Sequence, residues 1–258
     1  MLVVVPGSAR AAGMGGAGAA IVGDAGALFA NPAGLATVHH LAVEASYESY
    51  PAGTRLSMGA VALRVDRFTW GVGAAALGPS YTSADLLGAS ALVFRTGVVA
   101  LGTTLKYARE TVGGARLDAW AGDVGLAVAV FDLMALGVSV QDIGGDLGGG
   151  THLPRRTRAG FTLNYIDPQG TYRLLTTLEG QWPSQSSAFV VLGVEGGAVK
   201  GGVGVLARVG YVGHSVTTSA SPFTFGGSVE LGRLHADYAY RADDALGARH
   251  RLGLRWMP

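Results

Sequence analysis

Gly7-Ser8-Ala9-Arg10-Ala11-Ala12-Gly13-Met14-Gly15-Gly16-Ala17-Gly18 is followed by Asp24 and then by Asn31-Pro32-Ala33-Gly34-Leu35-Ala36. This stretch is small, rich in Gly and Ala and almost uncharged, and nothing after Ala36 resembles it. From about Leu41 onward the chain reads as one β-strand after another. A short, compact, non-strand segment ahead of a long all-β run predicts a plug (residues 1–40) inside a barrel (residues 41–258).

Within the plug the sequence predicts a short helix from Ala9 to about Val22, with Ala and Gly wherever it presses on a wall. Asp24 is expected to cap a second helical turn that ends at Asn31-Pro32, since proline disfavours helix at the residue before it. Gly13, Gly15, Gly16 and Gly18 allow close backbone approach. Gly13-Met14-Gly15-Gly16-Ala17-Gly18 also matches the dinucleotide pattern GxGxxG. That chemistry needs a strand directly before the motif and a βαβ unit around it. Here Pro6 and Ser8 intervene, and no alternating helices follow.

The strands show themselves by period-two alternation. Leu101, Thr103, Leu105 and Tyr107 share one face, and Ala100, Gly102, Thr104 and Lys106 the other. Trp120, Val124, Leu126 and Val128 oppose Ala121, Asp123, Gly125 and Ala127. Leu234, Ala236, Tyr238 and Tyr240 alternate with His235, Asp237 and Arg241; Leu252, Leu254 and Trp256 alternate with Arg251, Gly253 and Arg255. Strands near residues 41–50 and 86–95 alternate less clearly, so their facing is left open. The count is about fourteen strands of about ten residues, enough to cross a bilayer at a tilt.

Breaks at Val65-Asp66-Arg67, Arg95-Thr96-Gly97, Phe131-Asp132-Leu133 and Leu231-Gly232-Arg233 are tight. Those at Gly78 to Asp85, Arg109 to Asp118, Gln141 to Arg155, Gly213 to Pro222 and Arg241 to Ala248 are longer and more polar. Short turns on one side and longer loops on the other mark an outer-membrane barrel with both chain ends on the periplasmic side. A soluble sandwich would turn a charged face outward. Here one face is Leu, Val, Phe, Tyr and Trp, while the other holds Gly, Ala and scattered charges. The fold class expected is therefore all-β: a transmembrane antiparallel β-barrel with a short helical plug.

Composition agrees. The chain has 258 residues, 49% of them apolar and only 14% charged, with 42 glycines in no regular period. That is too apolar for a disordered chain. A net charge of +1 offers no concentrated basic face for nucleic acid. Cysteine is absent, so no disulfide or thiolate metal site can form. No apolar run is long enough for a transmembrane helix, and no signal peptide is visible. An outer-membrane location then leads us to expect that the chain begins at or near a mature start.

No constellation carries catalysis. The six histidines lack ligand spacing, and His39-His40 would point to opposite faces of a strand. No GxSxG elbow is present. We expect no enzyme activity, no cofactor and no metal. The plug and gate candidates are Arg10, Gly13, Met14, Gly15, Gly16, Asp24, Asn31, Pro32 and Ala33, with Asn31-Pro32-Ala33 as a hinge. Arg10 is the only arginine or lysine before Arg55, so it needs an inward carboxylate or plug carbonyls. The lumen charges are expected to be Lys106, Asp123, Arg158, Arg173, Glu179 and Glu195, with Arg208, Glu230, Asp237, Arg251 and Arg255. Mixed signs inside a tube must pair, because an unpaired buried charge costs several kcal/mol. Their expected role is to brace the wall and anchor the plug.

The run Ser8-Ala9-Arg10-Ala11-Ala12-Gly13-Met14-Gly15-Gly16-Ala17, then Asp24, then Asn31-Pro32-Ala33-Gly34-Leu35, resembles the opening of PorV/PorQ-type proteins, a branch of the FadL-like outer-membrane barrels. Leu105-Lys106-Tyr107, Ala121-Gly122-Asp123-Val124-Gly125-Leu126, Gln141-Asp142-Ile143-Gly144-Gly145 and His235-Ala236-Asp237-Tyr238-Ala239-Tyr240 extend the likeness along the chain. FadL-like membership implies a monomeric passive channel for hydrophobic or amphipathic small molecules, embedded in outer-membrane lipid. The closer PorV-like resemblance implies instead an adaptor that holds secreted proteins at the cell surface. An apolar cavity under the loops would favour the first, and a loop surface built for protein the second.

Overall fold

The structure is a computed structural model that describes residues 5–50, 53–79, 84–112, 115–131, 133–148, 151–166, 170–213, 220–243 and 247–258. Its strands are β1 (Leu41–Ser49), β2 (Arg55–Val65), β3 (Phe68–Gly78), β4 (Asp85–Thr96), β5 (Val99–Val112), β6 (Ala115–Val130) and β7 (Met134–Gly144). A short ribbon follows, β8 (Asp146–Gly148) with β9 (Thr151–His152). The wall then resumes with β10 (Arg156–Asn164), β11 (Tyr172–Pro183), β12 (Phe189–Lys200), β13 (Val203–Gly213), β14 (Phe223–Leu231), β15 (Leu234–Arg241) and β16 (Arg249–Trp256). All wall pairings are antiparallel and join sequence neighbours, except that β7 pairs with β10 and β1 closes on β16. The result is a closed fourteen-stranded barrel.

Side-chain alternation decides which way each strand faces. Leu101, Leu105, Val205 and Leu252 are each more than half exposed on the outer surface, while Lys106, Arg208 and Arg251 are buried. Only lipid makes an apolar exterior with a polar interior the stable arrangement. Aromatic side chains gather at the strand ends: Phe68 against Phe94 (ring centroids 5.2 Å apart) at the short-turn end, and Tyr107 against Trp120 (5.2 Å) toward the loops. Such rings suit the two membrane–water boundaries.

Two of the expected loops require correction. The segment Arg109 to Asp118 is not a loop, because β5 and β6 stay in register as far as Val112 and Ala115; residues 113–114, at its tip, lie outside the described residues. The loop Gln141 to Arg155 is partly strand as well. There β7 bulges at Gln141-Asp142, where Asp142 takes a φ of 59° and both side chains turn inward. Beyond it the β8–β9 ribbon buries Leu147 and Leu153 against the interior.

The inner face is also not uniformly polar. Around β2 to β4 it carries Leu56, Met58, Leu87 and Val93, all buried. This explains the weak alternation near residues 86–95, since both faces of β4 are apolar there. On β1 the facing is now clear: Glu44, Ser46 and Glu48 point inward. The lumen thus has an apolar half and a charged half.

The amino-terminal segment contacts the inner face of the wall. Its helix, α1 (Ala9–Gly13), is much shorter than the expected Ala9 to Val22. Ser8 Oγ caps it by accepting from the Ala11 amide at 2.9 Å. It stops because Gly15 and Gly16 take φ of 73° and 83°, left-handed values that only glycine adopts freely. Two 3₁₀ turns follow, Ala25–Phe29 and Pro32–Thr37. Leu28, Phe29 and Leu35 from these turns fill the apolar half, joining Leu56, Leu87 and Val93 in one cluster.

Many glycines of the wall exist for this contact. A side chain at Gly137 of β7 would collide with the Ala19 carbonyl, and one at Gly125 of β6 with Asn31 Oδ1. With no Cβ at these points, backbone and wall approach closely enough to exchange hydrogen bonds.

Candidate functional site

Arg10 on α1 reaches the wall and the turn that follows. Its Nη2 and Nε donate to Glu195 Oε1 (2.7 Å) and Oε2 (3.0 Å), and its Nη1 donates to Asp24 Oδ2 (3.1 Å). Glu195 on β12 also accepts from Arg208 Nε of β13 at 2.5 Å. Arg208 Nη1 donates to Asp237 of β15 at 2.7 Å, and Arg255 Nε of β16 donates to the same carboxylate at 2.6 Å. Arg255 Nη1 then donates to Asp24 Oδ1 at 2.7 Å. Six charges of alternating sign therefore close a ring, two from the amino-terminal segment and four from the wall.

Each member has an opposite charge on both sides, so the low-dielectric interior strengthens the contacts instead of stranding a charge. Burial by itself works against charge on Asp24. Arg10 and Arg255 outweigh it and hold the Asp24 carboxyl below its ordinary pKa. Burial likewise opposes the charge on Arg10, but Glu195 and then Asp24 lift its pKa well above the usual value. Asp24 was expected to cap the following turn. Its side chain makes no capping bond, because both its oxygens are engaged by arginines.

A second anchor lies at Glu179 of β11. Its Oε2 accepts from the amides of Gly18 (2.7 Å) and Ala19 (2.6 Å), while Oε1 accepts from Arg158 (3.2 Å) and Gln181 (2.8 Å). Arg158 also donates to the Gly16 carbonyl at 3.1 Å. Thr224 of β14 accepts from the Gly15 amide (2.9 Å) and donates to the Gly13 carbonyl (3.1 Å). Met14, fully buried, sits with Val191 and Val212. On β1, Glu44 accepts from the Gly26 amide at 2.9 Å, and on β16 Arg251 donates to the Pro6 carbonyl at 2.7 Å.

Asn31 is a third anchor and sits where a hinge was expected. Its Oδ1 accepts from Ala33 N (3.1 Å), and its Nδ2 donates to the carbonyls of Ala19 (2.6 Å) and of Leu126 on β6 (3.1 Å). Asn31 does not end the helical turns: it caps the second 3₁₀ turn, with Pro32 in the first position. Gln141 and Ser139 of β7 complete the contact by donating to the Phe29 (2.7 Å) and Ala30 (2.8 Å) carbonyls.

The remaining sequence candidates form no ion pair with the ring among the described residues. Lys106 pairs with Asp123 (2.8 Å) and Asp142 (2.9 Å) in a buried wall triad. Glu230 pairs with His235 at 3.1 Å, and Arg173 lines the same cavity. Residues that the sequence reading missed are Glu44, Glu48, Gln141, Asp142 and Thr224. Strand parity could have found the first two once the facing of β1 was known. The others needed the bulge and the wall pairing.

Two cavities flank the segment. One, about 440 Å³, opens at the short-turn end between Asp24, Val38 and Leu41 on one side and Arg173, His235 and Met257 on the other. The second, about 460 Å³, opens at the loop end and has Ala12, Gly15 and Gly16 on its inner side. They share no lining residue. No group of three or more metal-binding side chains exists among the described residues.

No family model matches the sequence, and no curated protein is similar to it. Solved structures do match over nearly the whole chain. The toluene transporter TbuX of Ralstonia pickettii aligns with a TM-score of 0.67 at 13% identity, covering 97% of this chain and 98% of that one. The fold is the one this transporter has. The monoaromatic hydrocarbon channel CymD aligns at 0.66 and 14% identity, covering 98% of this chain and 96% of that one. The Pseudomonas putida toluene transporter TodX aligns at 0.64 and 12%, covering 96% of each. At such identities the likeness is one of fold. The fourteen-stranded wall of this chain holds its inner segment through three separate anchors.

Proposed function

We propose that this chain is a passive outer-membrane channel for hydrophobic small molecules, and that residues 5–40 act as its plug. The observation that carries the reading is the pair of cavities on either side of α1, with no lining residue in common. A solute admitted at the loop end meets the plug before it can reach the short-turn end. Support for the solute class comes from the shared fold, since the neighbours are transporters of toluene and other monoaromatic hydrocarbons. Lipid around the belt, a monomeric wall, the absence of catalysis and a short-turn end facing the periplasm follow from the same reading.

The test is uptake. Cells that make the protein in the outer membrane should take up labelled toluene faster than cells with an empty vector, and deletion of residues 1–36 should alter that rate. Equal uptake with and without the protein would overturn the channel reading.

The PorV-like adaptor remains as a second reading on one observation. Residues 115–120 of β6 run beyond its register with β7 and present the exposed Arg109–Asp118 pair (2.8 Å) beside the Tyr107–Trp120 contact. A folded, exposed hairpin of that kind is suited to holding a protein. Co-purification of secreted proteins that is lost on changing Arg109 and Trp120 would favour it.

A further inference from the structure

The cavity at the loop end is unbalanced in charge. Five arginines line it (Arg156, Arg158, Arg241, Arg249 and Arg251) against Glu48 and Asp243. Some of these are already engaged. Arg251 donates to the Pro6 carbonyl and Ser46 Oγ and lies 3.7 Å from Glu48. Arg241 donates to the Ser221 carbonyl at 2.9 Å. Arg158 is paired with Glu179, yet its Nε is buried without an acceptor among the described residues.

Arg156 is different. It sits two residues from Arg158 on the same face of β10, and its one hydrogen bond among the described residues is to the neutral Gln181 Oε1 at 3.3 Å. Arg249, across the cavity, lies over the Tyr50 ring at 5.7 Å, and its Nε is buried without an acceptor among the described residues. Half-buried guanidinium groups with no carboxylate partner among the described residues favour an anion from solution, which they bind with planar, charge-assisted hydrogen bonds. Close to Arg156 the wall turns apolar: Pro183, Phe189 and Val212 line the same cavity, and Phe189 packs on the Met14 cluster.

We infer that this cavity is a binding site for a compact organic anion, an aromatic carboxylate, with its acid group on Arg156, beside the Glu179-paired Arg158, and its ring against Phe189. Its floor of Ala12, Gly15 and Gly16 bounds it on the plug side, which suits a compact ring better than a long acyl chain. The inference rests on the channel reading only for why a solute would come there.

Calorimetry on the full-length protein in detergent tests it, with benzoate, toluene, decanoate and inorganic phosphate as probes. Benzoate should bind, more weakly as salt is raised. Arg156→Gln should weaken it about tenfold or more, the effect of losing a charged hydrogen bond, and Arg156→Lys should restore part of the loss. Arg95→Gln, at a short turn on the opposite end of the wall, should change nothing. Unaltered electrophoretic mobility of unheated samples checks that each variant is a folded barrel.

Benzoate binding that Arg156→Gln leaves intact would overturn the site. So would phosphate displacing benzoate at equal concentration, or decanoate binding more tightly. Toluene uptake by cells without benzoate binding would overturn this inference while the channel reading stands. Benzoate binding without any toluene uptake would do the reverse.

Discussion

Arg10→Ala removes the one side chain that joins α1 to both the wall and the following turn. Three hydrogen bonds are lost, two to Glu195 and one to Asp24. Both carboxylates stay buried, at 5% and 4% exposure. Breaking a buried pair in this way costs about 3–5 kcal/mol. Glu195 keeps Arg208, and Asp24 keeps Arg255, which puts the cost near the lower end, at about 3 kcal/mol. At 1.4 kcal/mol per factor of ten, the population with the segment released should rise by about a hundredfold.

Single-channel recording in planar bilayers reads that population as open time. Arg10→Ala should open about a hundred times more often than the parent, while Arg109→Ala, which breaks only an exposed pair, should match the parent. Exposed pairs contribute about 1 kcal/mol or less. An Arg10→Ala channel as quiet as the parent would refute the ring as the latch.

Other outcomes follow from the same contacts. Gly137→Val places a side chain where the Ala19 carbonyl lies, so hydrogen exchange of the Gly18 and Ala19 amides should speed up while the wall strands stay protected; unchanged protection would contradict the close approach. Asp24 has a lowered pKa, so it releases its proton more readily in the native state, and its contribution is present at neutral pH. That contribution is lost as pH falls through the depressed native value, so open time should rise below roughly pH 4. Open time that does not rise there would place the latch elsewhere. Glu179→Gln should free the segment less than Arg10→Ala, because the amide keeps one acceptor oxygen for Gly18 and Ala19; open time at or above the Arg10→Ala level would contradict the ranking.

The wall was legible in the sequence because lipid imposes one rule on every strand: apolar out, every second residue. Leu252 to Trp256 obeys it without exception, and Leu101 to Tyr107 departs from it only at Thr103. The rule constrains only the outer face, which is why β4, with Leu87 and Val93 turned inward onto Leu35 and Phe29, was harder to orient. The candidate site was legible as a set of residues but not as a ring. Parity placed Glu195, Arg208, Asp237 and Arg255 inside, and the isolation of Arg10 called for an inward carboxylate or plug carbonyls. Which charge meets which depends on barrel closure, which brings Arg255 to Asp24 across 231 positions of chain. The length of α1 was overestimated because a Gly/Ala run suits helix and turn alike; the left-handed Gly15 and Gly16 decided for the turn. The glycines at 125 and 137 looked like composition until their contacts with Asn31 and Ala19 were seen.

The claim that residues 5–40 close the channel has a direct test in the planar-bilayer conductance of the chain lacking residues 1–36. Wall pairing from Leu41 onward includes no partner from that segment, so the truncated barrel should still insert. The account predicts that it conducts ions steadily where the full chain is closed. A truncated barrel that inserts and stays as closed as the full chain would contradict it.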